Sequence, residues 1–143
     1  MTSKYLSPIK QVFKAYQTSS NFMKIAGNCR VISADEGRVK VEFEVTESVT
    51  NPMNTLHGGA TATLVDIVTT TALMATERGE PGVSVDLTVS YLAPAKLNST
   101  VVFDASVLRM GKTLAYTKCD LFSKEDNKLL ATGLHTKAFP TRK

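Results

Sequence analysis

The chain has 143 residues, 43% of them hydrophobic and 21% charged, and a formal charge of +4. At that size one core buries about two thirds of the unfolded surface, and the composition excludes a disordered, collagen-like or disulfide-stapled chain. No run reaches the ~18 apolar residues of a membrane-spanning helix, so no integral membrane association is expected. No dense basic run with interleaved aromatics points to nucleic acid.

Ser7 and Pro8 read as helix cap and first helical residue, and Ile9, Val12, Phe13 and Tyr16 follow at helical offsets, predicting an amphipathic N-terminal helix. Residues 29–34 read as a strand and Ala34 to Gly37 as a tight turn. In 38–45 the side chains alternate, with Val39, Val41, Phe43 and Val45 facing one way and Arg38, Lys40, Glu42 and Glu44 the other. A polar connection with Pro52 fills 46–56. From 58 to 76 the chain is evenly apolar without an internal break, which predicts a long helix buried on all sides despite its β-branched residues. Strand-like runs then recur at 83–93, 100–109, 113–123 and 129–138 with no helix between them, so the sheet is expected to be antiparallel. The expected fold is α+β: about six antiparallel strands curved around one buried central helix, with an N-terminal helix, in a single domain over 1–143.

Several features carry no chemistry of their own. Cys29 and Cys119 have no nearby histidine or paired cysteine, so both are expected to be structural and no metal site is expected. Asn98-Ser99-Thr100 matches a glycosylation sequon, and Gly111-Lys112-Thr113 resembles the end of a P-loop but lacks the earlier glycine and the following helix. No secretory signal is apparent. Lys4, Lys10, Lys14, Lys24 and Arg30 all precede the first acid, Asp35, a bias that resembles mitochondrial targeting, so the cytoplasm and the mitochondrion are the expected compartments.

Asp66 stands out because it is the only ionisable side chain between Gly58 and Thr76, flanked by Leu64, Val65, Ile67 and Val68. An unpaired carboxylate in such surroundings is costly, and no cation lies three or four residues away, so packing does not account for it. A carboxylate of this kind is a candidate general base or nucleophile. His57-Gly58-Gly59 stands where the polar loop meets the helix, and free N–H groups at a helix start suit a developing oxyanion. Eight helical residues put Asp66 about 12 Å along the axis from Gly58. If both act on one carbonyl, they come from different subunits of a two-fold homodimer.

The strings Asn51-Pro52-Met53-Asn54-Thr55-Leu56-His57-Gly58-Gly59 with Asp66, Gly82 to Asp86 and Tyr91 to Lys96 resemble the hot-dog thioesterases of the phenylacetate-pathway type. The resemblance extends through Arg78-Gly79, Gly111 to Ala115 and His135-Thr136-Lys137. It implies a hot-dog fold and hydrolysis of acyl-coenzyme A by Asp66, with Ser84 holding the attacking water. Gly58 N–H and the Asn51 side chain would polarise the thioester carbonyl, and His57 would lie at the site. It places coenzyme A contacts at Glu47, Ser84, Tyr91, Leu92, Ala93, Pro94, Ala95, Lys96, Arg109, Met110, Gly111, Lys112, Thr113 and Leu114. Position 138 would be a further contact, but Ala138 departs from the histidine expected there. The resemblance implies no cofactor beyond the coenzyme A of the substrate, and a homodimer that pairs into a homotetramer. A hot-dog dehydratase or hydratase, or a non-catalytic acyl-coenzyme A binder, would share most of these features.

Overall fold

Among residues 3–141, which the computed structural model describes, the elements follow the expected order. Helix α1 spans Leu6–Tyr16, strand β1 Cys29–Asp35, β2 Arg38–Glu44, helix α2 Gly58–Met74, β3 Val83–Tyr91, β4 Thr100–Met110, β5 Leu114–Ser123 and β6 Leu129–Ala138. Two short 3-10 helices, Phe22–Asn28 and Glu47–Val49, lie before β1 and within the polar connection after β2.

The start of α1 corrects the sequence reading. The helix begins at Leu6 with Tyr5 at the N-cap and no side-chain cap, so Ser7 and Pro8 both lie inside the first turn. Proline is tolerated there because first-turn N–H groups have no acceptor within the helix. Ile9 and Phe13 face inward as their spacing requires.

Helix α2 is the hub. Leu64, Val65, Ile67, Val68, Ala72 and Leu73 are buried, and the helix packs on β2, β3, β4, β5 and β6. Threonine suits this setting only if its hydroxyl finds a partner. Here Thr63 bonds the Gly59 carbonyl, Thr69 that of Val65, Thr70 that of Asp66 and Thr71 that of Val68. The helix stops at Met74, two residues short of the expected end, and the Ala75 carbonyl accepts from the Gly37 N–H at the β1–β2 turn.

All strand pairs are antiparallel, in the order β1-β2-β4-β5-β6-β3. Val39, Val41, Phe43 and Val45 are fully buried, as the alternation of β2 predicts. Phe43 meets Phe103 edge-on across the β2–β4 pair. The result is the hot-dog arrangement, one helix held in the curl of a six-stranded sheet. Because β3 follows α2 and pairs only with β6, it forms one outer edge of that sheet. Val83 and Val85 on this edge are exposed.

Close helix–sheet contact rests on Gly133 in β6, where an added Cβ would lie 2.8 Å from Val65 Cγ1. Gly133→Ala is therefore expected to lower unfolding stability by about 1–3 kcal/mol through overpacking. The check is urea unfolding followed by circular dichroism, and a Val65→Ala, Gly133→Ala double variant should recover part of the loss.

Candidate active site

The polar loop before α2 is built around Asn51. Its Oδ1 accepts from the N–H groups of Met53 and Thr55, and its Nδ2 donates to Thr55 Oγ1, leaving one amide hydrogen to spare. The loop ends at His57, which caps α2 by accepting the Gly59 N–H on Nδ1 at 2.8 Å. That bond removes Gly59 from the free donors at the helix start. The Gly58 N–H has no acceptor among the described residues and carries the positive end of the helix dipole. Tyr91 covers Gly58 from β3, its hydroxyl donating to the Gly58 carbonyl at 2.6 Å.

Asn51, Gly58 and Tyr91 line one cleft of about 370 Å³ together with Leu92, Ala93, Pro94 and Ala95, with an apolar lining that includes Leu56, Leu121, Leu130 and Ala131, while His57 lies outside that lining. Seven of the sequence-derived candidates thus share one space. Glu47 and Lys96 do not line it but adjoin it, Glu47 through the Thr50 hydroxyl on its carbonyl and Lys96 through a bridge to Thr55.

Asp66 lies elsewhere on the same helix, two turns beyond Gly58. Its carboxylate makes no hydrogen bond or ion pair among the described residues, while its backbone carbonyl accepts from Thr69 and Thr70. No buried side-chain oxygen lacks a partner, so the half-buried carboxylate opens onto the surface. Beside it are two groups on the inward face of β6, His135 and Lys137, whose charged forms both interact with Asp66.

His135 is 1% exposed and links helix to edge strand, with Nδ1 2.8 Å from Thr69 Oγ1 and Nε2 2.8 Å from Ser84 Oγ. The Thr69 hydroxyl proton goes to a helix carbonyl, that of Val65 or Asp66, so its oxygen accepts from His135 Nδ1–H. Burial lowers the basicity of His135, against the field of Asp66. A neutral ring protonated on Nδ1 has a bare Nε2, and the Ser84 hydroxyl must donate to it. Ser84 Oγ then offers lone pairs outward and can only accept, as an orienting group for a water that also donates to Asp66 would. The sequence reading placed Ser84 at the site but gave His135 no role beyond its part in the matching strings.

The remaining candidates gather at the β4–β5 hairpin. Arg109, Gly111, Thr113 and Leu114 border a hollow of about 480 Å³, and Met110 and Lys112 belong to the same turn. Arg78 steadies it, donating to the Lys112 carbonyl at 2.8 Å while stacking 3.6 Å over the Phe139 ring. Ala138 pairs with both Val83 and Leu114, so the hairpin lies level with the Ser84 end of β3. Tyr91 is at the opposite end of that strand, about 23 Å away at ~3.3 Å per residue. Each chain therefore carries its candidate residues in two separated groups.

Cys29 and Cys119 are free and buried, and burial pushes the Cys29 thiol up to about 12. The described residues hold no cluster of three metal-ligating side chains and no helix long and apolar enough to cross a membrane.

Comparison with known proteins decides the lineage: the Thioesterase superfamily matches residues 53–130. The chain belongs to that superfamily. It is 50% identical over 129 residues to human acyl-coenzyme A thioesterase 13, covering 90% of this chain and 92% of that protein. The crystal structure of zebrafish thioesterase superfamily member 2 superposes with a TM-score of 0.92 at 44% identity, over 98% of this chain and 99% of that one. The mouse thioesterase superfamily member 2 structure gives 0.88 at 41%, over 98% and 100%.

The buried histidine offers a test that needs no substrate. Because the folded protein holds His135 below its ordinary value of 6.5, the unfolded chain binds more protons at mildly acidic pH. Stability should therefore fall as pH drops below about 6.5, and a His135→Gln variant should lose that part of the dependence. Urea midpoints at pH 5.5 and 7.5 for both proteins measure the difference.

Proposed function

We propose that this thioesterase hydrolyses medium- to long-chain fatty acyl-coenzyme A to free fatty acid and coenzyme A, in a homodimer whose two active sites are each shared between subunits. The observation that carries the reading is that Gly58 and Asp66 stand eight residues apart on one helix. At about 12 Å they are too far apart to act on one carbonyl from the same chain. The open edge strand β3 supports the partner. Paired with its own copy about a two-fold axis, it would run antiparallel and bring the Tyr91 end of one chain to the Ser84 end of the other.

In the shared site the thioester oxygen takes hydrogen bonds from Gly58 N–H and the spare Asn51 amide hydrogen of one subunit. From the other, Asp66 and Ser84 each accept one hydrogen of a water and leave its lone pair aimed at the carbonyl carbon. Asp66 removes the proton as the C–O bond forms, and the charge that develops on oxygen meets a donor worth about 3 kcal/mol of barrier. Direct attack by Asp66, giving an anhydride that water cleaves, uses the same groups. Collapse expels the coenzyme A thiolate, with His57 beside the leaving sulfur. No cofactor enters these steps. The acyl chain suits the apolar lining of Leu56, Leu121 and Leu130, and Lys96, Arg109 and Lys112 suit the phosphates.

Exposed Leu108, Tyr116 and Leu134 offer a surface for two dimers to join as a tetramer. A role in lipid metabolism follows from the proposed substrate, and the unopposed basic residues before Asp35 favour the cytoplasm or the mitochondrion as its compartment.

Two measurements bear on this reading. Asp66→Asn is expected to cut thiol release from saturated acyl-coenzyme A by about 10²-fold or more while leaving coenzyme A binding intact. Near-normal turnover would sink the assignment, whereas binding without turnover in the wild type would make the protein a binder. Mixing inactive Asp66→Asn and Gly58→Val chains under exchange conditions should restore about one quarter of the sites, because each heterodimer has one intact site. An active monomer by sedimentation would end the shared-site model.

A further inference from the structure

Lys137 is a buried cation that the steps above do not use. It lies on β6, paired with Ser84 of β3 on one side and Ala115 of β5 on the other, and only 4% of it is exposed. Its Nζ donates to Thr70 Oγ1 at 2.9 Å, and Thr70 in turn donates to the Asp66 carbonyl at 2.8 Å. An ammonium has three hydrogens, and this one makes a single hydrogen bond and no ion pair among the described residues. Burying a charge with so few partners is unfavourable, so folding alone does not explain the residue. Methionine would fill the same space without the cost.

From the placement of Lys137 against the one turn of α2 that carries Asp66, we infer that its ammonium is a positioning residue for catalysis, a fixed countercharge set beside the Asp66 carboxylate where substrate displaces water. The inference rests on Asp66 being the catalytic carboxylate. Four titratable groups meet here: Asp66 on α2, His135 and Lys137 on β6, and Asp86 on β3. Burial lowers the basicity of Lys137 and the field of Asp66 restores part of it. Burial disfavours the charged form of His135 and Asp86 is exposed, so among the described residues Lys137 is the cation set against this carboxylate.

The test is the pH profile of kcat/KM for acyl-coenzyme A hydrolysis by the full-length protein. In Lys137→Met the acidic limb should move to higher pH, so that the ratio of activity at about pH 8 to that at about pH 5.5 rises threefold or more. KM near pH 8 should change little. Lys137→Arg, which keeps the charge, should restore the profile in part even where its fit lowers stability. Thr70→Val removes the tether without touching the strand and should reproduce a smaller shift, which keeps the test usable if Lys137→Met does not fold. An unchanged profile in a folded Lys137→Met or in Thr70→Val, with Asp66→Asn inactive, overturns this inference alone. Full activity in Asp66→Asn overturns the reading beneath it.

Discussion

A helix is a rigid spacer, and here it sets the distance between the two groups that matter most. The Gly58 N–H is available because it begins α2, and Asp66 faces His135 and Lys137 because it lies two turns further along. Neither can move toward the other without unwinding a helix whose sides are packed on five strands. On the proposed mechanism, separation along a buried helix turns a catalytic requirement into a requirement for a second subunit. The same helix places Thr69 and Thr70 where they meet His135 and Lys137. One element thus fixes the donor, the carboxylate and the contacts behind the carboxylate.

Strand β3 complements this arrangement. It carries Ser84 at one end and Tyr91 at the other, so a single antiparallel pairing would act on both groups of candidate residues at once. Its exposed Val83 and Val85 would be poor choices for a permanently solvated edge, where charges, proline or a bulge usually discourage association. Two valines left on an open edge favour a strand that another strand covers.

The sequence made the scaffold legible where periodicity and burial agree. In β2 the alternation of Val39, Val41, Phe43 and Val45 with charged residues matches the observed faces, and α2 was readable because an even apolar run of that length has few other solutions. Asp66 was legible as a lone acid in that run. The residues behind it were not, because β6 inverts the usual rule. Leu134 points outward and is exposed, while His135 and Lys137 point inward. Alternation read by polarity places the last two on the solvent side, and only the three-dimensional pairing with Thr69, Thr70 and Ser84 reverses that assignment. The early start of α1 was hidden for a simpler reason. Proline fits any position of a first turn, so its presence does not mark the first residue.

The inward polar residues also fit the energetics of the interior. A half-satisfied buried network is worse than an apolar core, and this one is satisfied except at its rim. Thr69 spends its proton on a helix carbonyl, His135 spends its own on Thr69, and Ser84 spends its proton on His135. Each donation fixes the next, and the chain ends on the Ser84 oxygen with lone pairs to offer. Lys137 ends its own shorter chain with two hydrogens unspent, and Asp66 has a carboxylate without a donor. The unfilled valences therefore collect in one place, around Asp66 beside the open strand. Water and a polar substrate are the partners that chemistry supplies there, and a core evolved only for stability would have closed the gap with methylene groups.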